Sequence, residues 1–261
     1  MTTTLTPVNR ATRGFYDRYS YDFGTGLHDS MQLETTLLGE ALQGLPPGAV
    51  VVDAGCGTGL VSRLARTHVP GARVIGVDLS LGSLRRAQTR SPVPLAQGNI
   101  LILPLRSGSA DLVVSRGVIM TTGQPRRAFG ELARVVRPGG RLFVRVYNQR
   151  NWYRWLYSLG SPVCRAIAAL PGGKTLLAVT VVPFFVLAVQ LALLAMTGRL
   201  TWFGPRVAWN FFADQLLTPH NSFHTLDEVR AWGAEEGLGC LGTRTITLGQ
   251  QLDLLFAKQV T

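Results

Sequence analysis

Cysteine is scarce in this chain of 261 residues, limited to Cys56, Cys164 and Cys240. None forms a CxxC pair and no histidine lies close to any of them, which excludes an even disulfide framework and a zinc pattern and points to a reducing compartment. Lysine is scarcer still, with 2 residues against 24 arginines. Charged residues total only 16% against 46% hydrophobic, with 29 Gly and 14 Pro spread along the chain. That balance rules out disordered, collagen-like and coiled-coil classes and leaves a globular domain. The segment from Met1 to Phe23 lacks the apolar core of a secretory signal. Cytoplasmic residence is therefore expected, with the inner face of the cell membrane as the alternative station. No internal repeat and no linker between independent domains is evident.

The formal charge of +11 suggests nucleic acid until it is partitioned. Residues 1–165 hold 20 Arg and 9 acids, 166–198 hold only Lys174, and 199–261 hold 5 basic against 6 acidic residues. Nine arginines fall between Arg126 and Arg165 against the single acid Glu131, directly ahead of the most apolar stretch. Basic residues beside an apolar segment suit an anionic membrane surface better than a DNA groove, although scattered surface arginines need no partner at all.

From about residue 50 to 147 short apolar runs alternate with amphipathic stretches, the rhythm of βαβ units. Strands are expected at 49–53, 72–78, 93–96, 111–115 and 141–147, with helices at 58–67, 81–90 and 126–136. Arg137-Pro-Gly-Gly140 is expected to break the last helix and turn the chain. Thr225 and Glu228 have capping-box spacing at the head of a helix reaching about Glu236. Two further strands, 240–248 and 252–258, are expected to pair antiparallel.

The sharpest local signal is Asp53-Ala-Gly55-Cys-Gly57-Thr-Gly59, which ends a strand and opens a helix. Alternate glycines leave the main chain bare, so a ligand can approach it and the first helical amides closely. Nineteen residues on, Asp78 ends the second strand, where an acid can accept hydrogen bonds from both hydroxyls of a ribose. A nicotinamide dinucleotide fingerprint would require glycine at 60, and this chain has Leu60. The GxGxG spacing favours a nucleoside without a pyrophosphate.

These motifs, with Gly76-Val-Asp78-Leu79-Ser80, Gly98-Asn99-Ile100, Ala110-Asp-Leu-Val-Val-Ser115 and Glu131-Leu-Ala-Arg-Val-Val-Arg-Pro-Gly-Gly140, follow a known order. The chain resembles the class I S-adenosylmethionine-dependent methyltransferases over roughly 45–147 and again over 225–258. The resemblance implies an α/β, Rossmann-like seven-stranded, mostly parallel sheet with an antiparallel last strand. It also implies S-adenosylmethionine as cofactor and no metal. Asp53, Gly55, Gly57 and Gly59 would pack on the methionine part, and Asp78 with Leu79 would hold the ribose. Asn99 and Ile100 would flank the adenine, the Asn99 carbonyl bonding its edge, and Ser115 and Arg116 would face the sulfonium. Tyr16 and Tyr21, in an aromatic segment similar to one that covers the cofactor in related enzymes, are candidates to touch it. Many relatives carry a histidine near position 120, whereas Gly117-Val-Ile-Met120-Thr-Thr122 has none. A base is required only where the acceptor must lose a proton, and His220 and His224 are the candidates for it.

The expected organisation is an N-terminal helical cover (1–44), a cofactor-binding core (45–147), an apolar and aromatic helical insertion (148–224), and a final helix with two strands (225–261). Thr175 to Gly198 is an uncharged run of 24 residues, long enough to cross a bilayer. A single crossing would leave the final strands on the wrong side of it, so a hydrophobic lid is expected instead, dipping into one leaflet or packing over the active-site mouth. Lipid, a second copy of the chain or the rest of the protein must cover it. The expected activity is methyl transfer to a lipophilic small molecule such as a quinol, an isoprenoid, a lipid or a hydrophobic natural product. The rival readings are a non-catalytic cofactor-binding scaffold and a basic membrane-surface module. The expected partners are a hydrophobic substrate and either a membrane surface or a second copy, with no nucleic acid.

Overall fold

A computed structural model describes residues 5–19, 36–90, 92–198 and 204–260. The chain divides into two compact units, the first comprising 26–151 and 219–261 with the N-terminal helix, the second comprising 152–218.

The first unit is built on one sheet. Its strands are β1 (Val50–Ala54), β2 (Arg73–Asp78), β3 (Leu95–Gln97), β4 (Ala110–Arg116), β5 (Val136–Asn148), β6 (Phe223–His224), β7 (Leu238–Ile246) and β8 (Gln251–Lys258). The order across the sheet is β3-β2-β1-β4-β5-β8-β7, with the two-residue β6 alongside β5. The strands β1 to β6 pair in parallel, and β8 runs antiparallel between β5 and β7. This is the expected seven-stranded architecture with β6 added. The helices are α1 (Pro7–Arg18), α2 (Leu37–Gln43), α3 (Leu60–His68), α4 (Leu81–Arg90), α5 (Pro125–Val135) and, after the insertion, α9 (Leu226–Glu235).

Apolar runs in the parallel strands are buried on both faces, which is why they read as continuous rather than alternating. Phe129 of α5, Trp232 of α9 and Phe256 of β8 pack edge to face on one side. Leu38 and Leu42 of α2, Val61 and Leu64 of α3, and Phe143 of β5 fill the other. Arg137-Pro-Gly-Gly140 does more than end α5. It forms a bulge inside β5, with Ala110 opposite Val136 and Leu112 opposite Arg141, and Gly139 takes a positive φ of 74° to make it. The capping box is formed, with Thr225 Oγ1 accepting from the Glu228 amide at 3.2 Å.

The second unit is three helices: α6 (Trp152–Ala169), α7 (Gly173–Thr197) and α8 (Pro205–Leu216). Tyr153 and Tyr157, one turn apart on α6, donate their hydroxyls to the carbonyls of Gln215 and Thr218 at 2.8 and 3.0 Å. Phe185 of α7 packs against Phe211 and Phe212 of α8. Within this unit α7 is continuous from Gly173 to Thr197 with Pro183 inside it.

Candidate active site

The carboxyl ends of β1, β2 and β4 bring the sequence motifs to one edge of the sheet, where open α/β sheets bind their ligands. Gly55, Gly57 and Gly59 all have positive φ, at 82°, 53° and 82°. Two of them are glycine for different reasons. A Cβ on Gly55 would stand 2.4 Å from the Val118 side chain, so the loop after β4 closes on it. A Cβ on Gly57 would meet nothing within 4 Å, so this main chain faces open space.

The loop is tied down on two sides. The Gly55 and Cys56 amides donate to Val77 O at 2.7 and 3.0 Å, and the Gly57 amide donates to Asp78 Oδ2 at 2.8 Å. Asp78 Oδ1 accepts from the Ser80 amide at 2.8 Å. The ribose candidate thus lies directly against the glycine loop, and each of its oxygens keeps a second lone pair. Burial raises the pKa of Asp78 from 3.8, opposed by the Ser80 and Gly57 amides.

Asp53, expected to touch the cofactor, has a second duty within the fold. Only 2% exposed, it turns its Oδ2 to the Ser62 amide at 2.9 Å and the Ser62 hydroxyl at 2.7 Å. It therefore pins the first turn of α3, whose N-cap, Gly59, has no side chain to cap it. Burial pushes its pKa up to about 6; the Ser62 hydrogen bonds and the charge of Arg116 oppose this, while Asp78 adds to it.

Asn99 Oδ1 accepts from the Leu101 amide at 3.0 Å, so this carbonyl shapes its own loop. Ile100 is buried in the core and Leu79 is partly buried, its carbonyl accepting from Gln97 Nε2. Ser115, next to last in β4, is fully buried, its hydroxyl without a hydrogen-bond partner among the described residues, and Arg116, which ends the strand, is partly buried. Tyr16 lies on α1, edge to face with Phe15. Tyr21 lies outside the described residues.

Two features escaped the sequence reading. Asp17 on α1 accepts from Ser80 Oγ at 2.8 Å and from the Gly82 amide at 3.0 Å, locking α1 to the start of α4 beside Asp78. The signal was an acid, Asp17, set among Phe15, Tyr16 and Tyr19. The second is a hydrogen-bonded chain from the loop after β4. The Ser222 amide and hydroxyl reach Met120 O at 3.0 and 3.2 Å, Ser222 Oγ lies 2.7 Å from His224 Nε2, and His224 Nδ1 lies 3.1 Å from Glu228 Oε1. His224 is 4% exposed and packs edge-on to Trp232. The histidine missing from 117–122 is thus present two hydrogen bonds away. His220 is partly buried in the preceding segment.

A glycine loop bent back on the acid that ends β2, set in this strand order, defines a nucleoside-binding α/β domain of the methyltransferase kind. Residues 52–144 match the family model described as Methyltransferase domain. That match covers the β1–β5 core, and it agrees with the resemblance of the sequence motifs to class I methyltransferases and with S-adenosylmethionine, the cofactor which that resemblance implies. The site fits that group through the open space at Gly57, the adjoining carboxylate and the buried Ser115 hydroxyl.

Among curated relatives, the demethylmenaquinone methyltransferase of Corynebacterium kroppenstedtii is 40% identical over 98 residues, covering 38% of this chain and 42% of that protein. The malonyl-acyl-carrier-protein O-methyltransferase of Hahella chejuensis is 30% identical over 148 residues, 52% of each chain. The chain thus spans about half the length, or less, of these relatives. In fold it is similar to magnesium protoporphyrin IX methyltransferase from Synechocystis PCC 6803 at TM-score 0.60 and 16% identity, covering 97% of this chain and 100% of that one. The cyclase SpnF is as similar, at TM-score 0.60 and 15% identity over 98% and 99% of the two chains. Fold alone therefore does not name the reaction.

Proposed function

We propose that this protein transfers the methyl group of S-adenosylmethionine to a lipophilic small-molecule acceptor. The observation that carries the cofactor half is the bare main chain at Gly57 facing open space beside the Asp78 carboxylate. The acceptor half is supported by the apolar second unit and by relatives named for a quinone and a porphyrin.

Bound there, S-adenosylmethionine supplies an electrophilic methyl on a sulfonium that is already a good leaving group. The protein's own work is alignment and exclusion of water, and orientation alone can be worth roughly 7–11 kcal/mol. Asp78 would hold the ribose hydroxyls through the lone pairs its two carboxyl oxygens keep. Asp53 holds the turn of α3, and its charge, kept at the cost of burial, favours a cation nearby. Where the acceptor must lose a proton, Ser222 passes it to His224, and Glu228 steadies the imidazolium that results. The free thiols of Cys56, Cys164 and Cys240 suit the reducing cytoplasmic side of a membrane.

Incubation with methyl-tritiated S-adenosylmethionine and a panel of quinols, isoprenoids and small polar acceptors tests this reading. Label is expected in the organic phase after extraction. Label found only in polar acceptors refutes the lipophilic assignment. Tight cofactor binding with no labelled product in any class selects a non-transferring role.

A further inference from the structure

Among the described residues, the most exposed apolar surface lies within the second unit. Helix α7 contains a 20-residue stretch, Gly173–Ala192, with a mean hydropathy of 2.3, and only 11% of its most apolar window is buried. Leu177 and Val182 face inward, whereas Leu176, Val179, Phe184, Leu187, Leu191 and Leu194 are exposed, Phe184 by 74%. At 100° per residue these six fall on one side of the helix. Helix α6 repeats the arrangement. Tyr153, Tyr157, Ser161 and Cys164 are buried, and Trp152, Trp155, Leu159 and Val163 are exposed at the complementary positions.

Charge identifies the occupant of this surface. From Leu132 to Ala213 the chain contains no aspartate or glutamate and ten Arg or Lys, five of them within 152–213. Trp155 carries the Arg154 guanidinium over its ring at 5.3 Å, a pairing of aromatic face and cation suited to lipid headgroups. Protein interfaces are only moderately apolar. An exposed apolar helix face, on a segment with five basic residues and no acid before Asp214, matches hydrocarbon beneath anionic headgroups.

The topology sets the depth. The exit and the return of the insertion are joined, since the Gln149 amide donates to His224 O at 3.0 Å and Tyr147 and Asn148 pair with Phe223 and His224. If α7 crossed the bilayer, the chain after Thr197 would have to cross back. Helix α8 has 12 residues and spans about 18 Å at 1.5 Å per residue, against a hydrocarbon core of about 30 Å. The return segment also carries Arg199, Arg206 and Asp214. We infer that α6 and α7 form a monotopic anchor that embeds in one leaflet of an anionic bilayer without crossing it. This inference does not depend on methyl transfer.

The test is flotation of the full-length protein with vesicles of phosphatidylcholine alone or mixed with phosphatidylglycerol. The protein is expected to float with both and several-fold more with the anionic mixture, with tryptophan emission shifted to the blue and quenched by brominated lipid. Phe184→Glu/Leu187→Glu/Leu191→Glu, at exposed positions, is expected to keep its helical circular dichroism and its cofactor affinity while flotation falls at least tenfold. Wild type that fails to float, or a triple variant that floats equally well, overturns the proposal. So does a dimer in buffer that the same triple substitution dissociates, because a second copy would then be the occupant. In a Cys240→Ser background, Gly198→Cys is expected to react with an impermeant maleimide added outside sealed vesicles. Protection of that thiol means crossing and overturns the one-leaflet placement.

Discussion

Replacing Asp53 by asparagine should make the protein more stable at neutral pH while weakening its cofactor site. The carboxylate is 2% exposed, and its known hydrogen bonds come from Ser62 to a single oxygen. Asparagine preserves that acceptor and removes the buried charge. Burial raises the carboxyl from 3.8 to about 6 in the folded protein, so folding favours the protonated form. The penalty is fully present above pH 6, shrinks as pH falls through 6, and is gone below 3.8. At about 1.4 kcal/mol per tenfold change in proton affinity, the charge costs the fold at most about 3 kcal/mol at pH 7. For a protein of this size that is a rise in Tm of roughly 5–10 °C in the variant. Thermal melts of wild type and Asp53→Asn without cofactor, from pH 4 to 7.5, should show a gap that is widest above pH 6 and closes toward pH 4. Isothermal titration at pH 7 should show weaker binding of S-adenosylmethionine, and less weakening for its uncharged demethylated product. A variant less stable than wild type by the same amount at every pH would refute the argument, because Asp53 would then be only a helix cap.

Asp78→Ala should weaken cofactor binding by 100-fold or more in calorimetry, since charge-assisted hydrogen bonds are worth about 1.5–3 kcal/mol each; wild-type affinity would remove the ribose assignment. The two glycines should separate. Gly55→Ala, with its Cβ driven against Val118 at positive φ, should lose several °C of Tm, whereas Gly57→Ala should lose about 1 kcal/mol of stability to backbone strain and proportionally more of its cofactor affinity. His224→Gln should leave cofactor affinity unchanged and lower kcat only for acceptors that must lose a proton; an unchanged kcat for those acceptors would confine His224 to packing against Trp232. Arg145 Nε and Nη2 hold the buried Asp253 at 2.6 and 2.8 Å, so Arg145→Met should cost about 3–5 kcal/mol in urea unfolding and Arg145→Met/Asp253→Leu should recover most of it.

The legible part of the site is the part encoded over short distances. The alternate glycines, the strand before them and the acid ending the next strand lie within 29 residues, from Val50 to Asp78, and backbone rules alone bring the Gly57 amide to 2.8 Å from the Asp78 carboxylate. The Asp53–Ser62 bond has the same local origin. Ser62 is the third residue of α3, where an orphan amide needs an acceptor, yet a reading that assigns every motif residue to the ligand passes over that duty. Asp17 and Ser80 are 63 residues apart, and no periodicity records which helix docks on which. The bulge at Arg137–Gly140 reads as a stop because Pro and Gly break helices and strands alike, and only the partner strand shows that pairing resumes.

Glu228 shows how one local signal can carry a second function. Thr225 and Glu228 announce a capping box, and the structure contains it, with Glu228 Oε2 reaching back to the Thr225 amide at 3.4 Å. The other oxygen of that carboxylate holds His224 Nδ1 at 3.1 Å. A histidine placed directly before an N-cap therefore stands within reach of the same glutamate, and its Nε2 is left to face whatever the preceding residues present, here Ser222 and the loop after β4. The geometry that makes His224 a good proton acceptor also makes it a good staple. Glu228→Gln distinguishes the two roles, because the amide can still cap α9 and accept from a neutral imidazole but cannot stabilise an imidazolium. Unchanged stability with a kcat that falls only for acceptors requiring deprotonation would assign the chain from Ser222 to Glu228 to proton movement. Equal losses in stability and in turnover of every acceptor would reduce it to a fold contact.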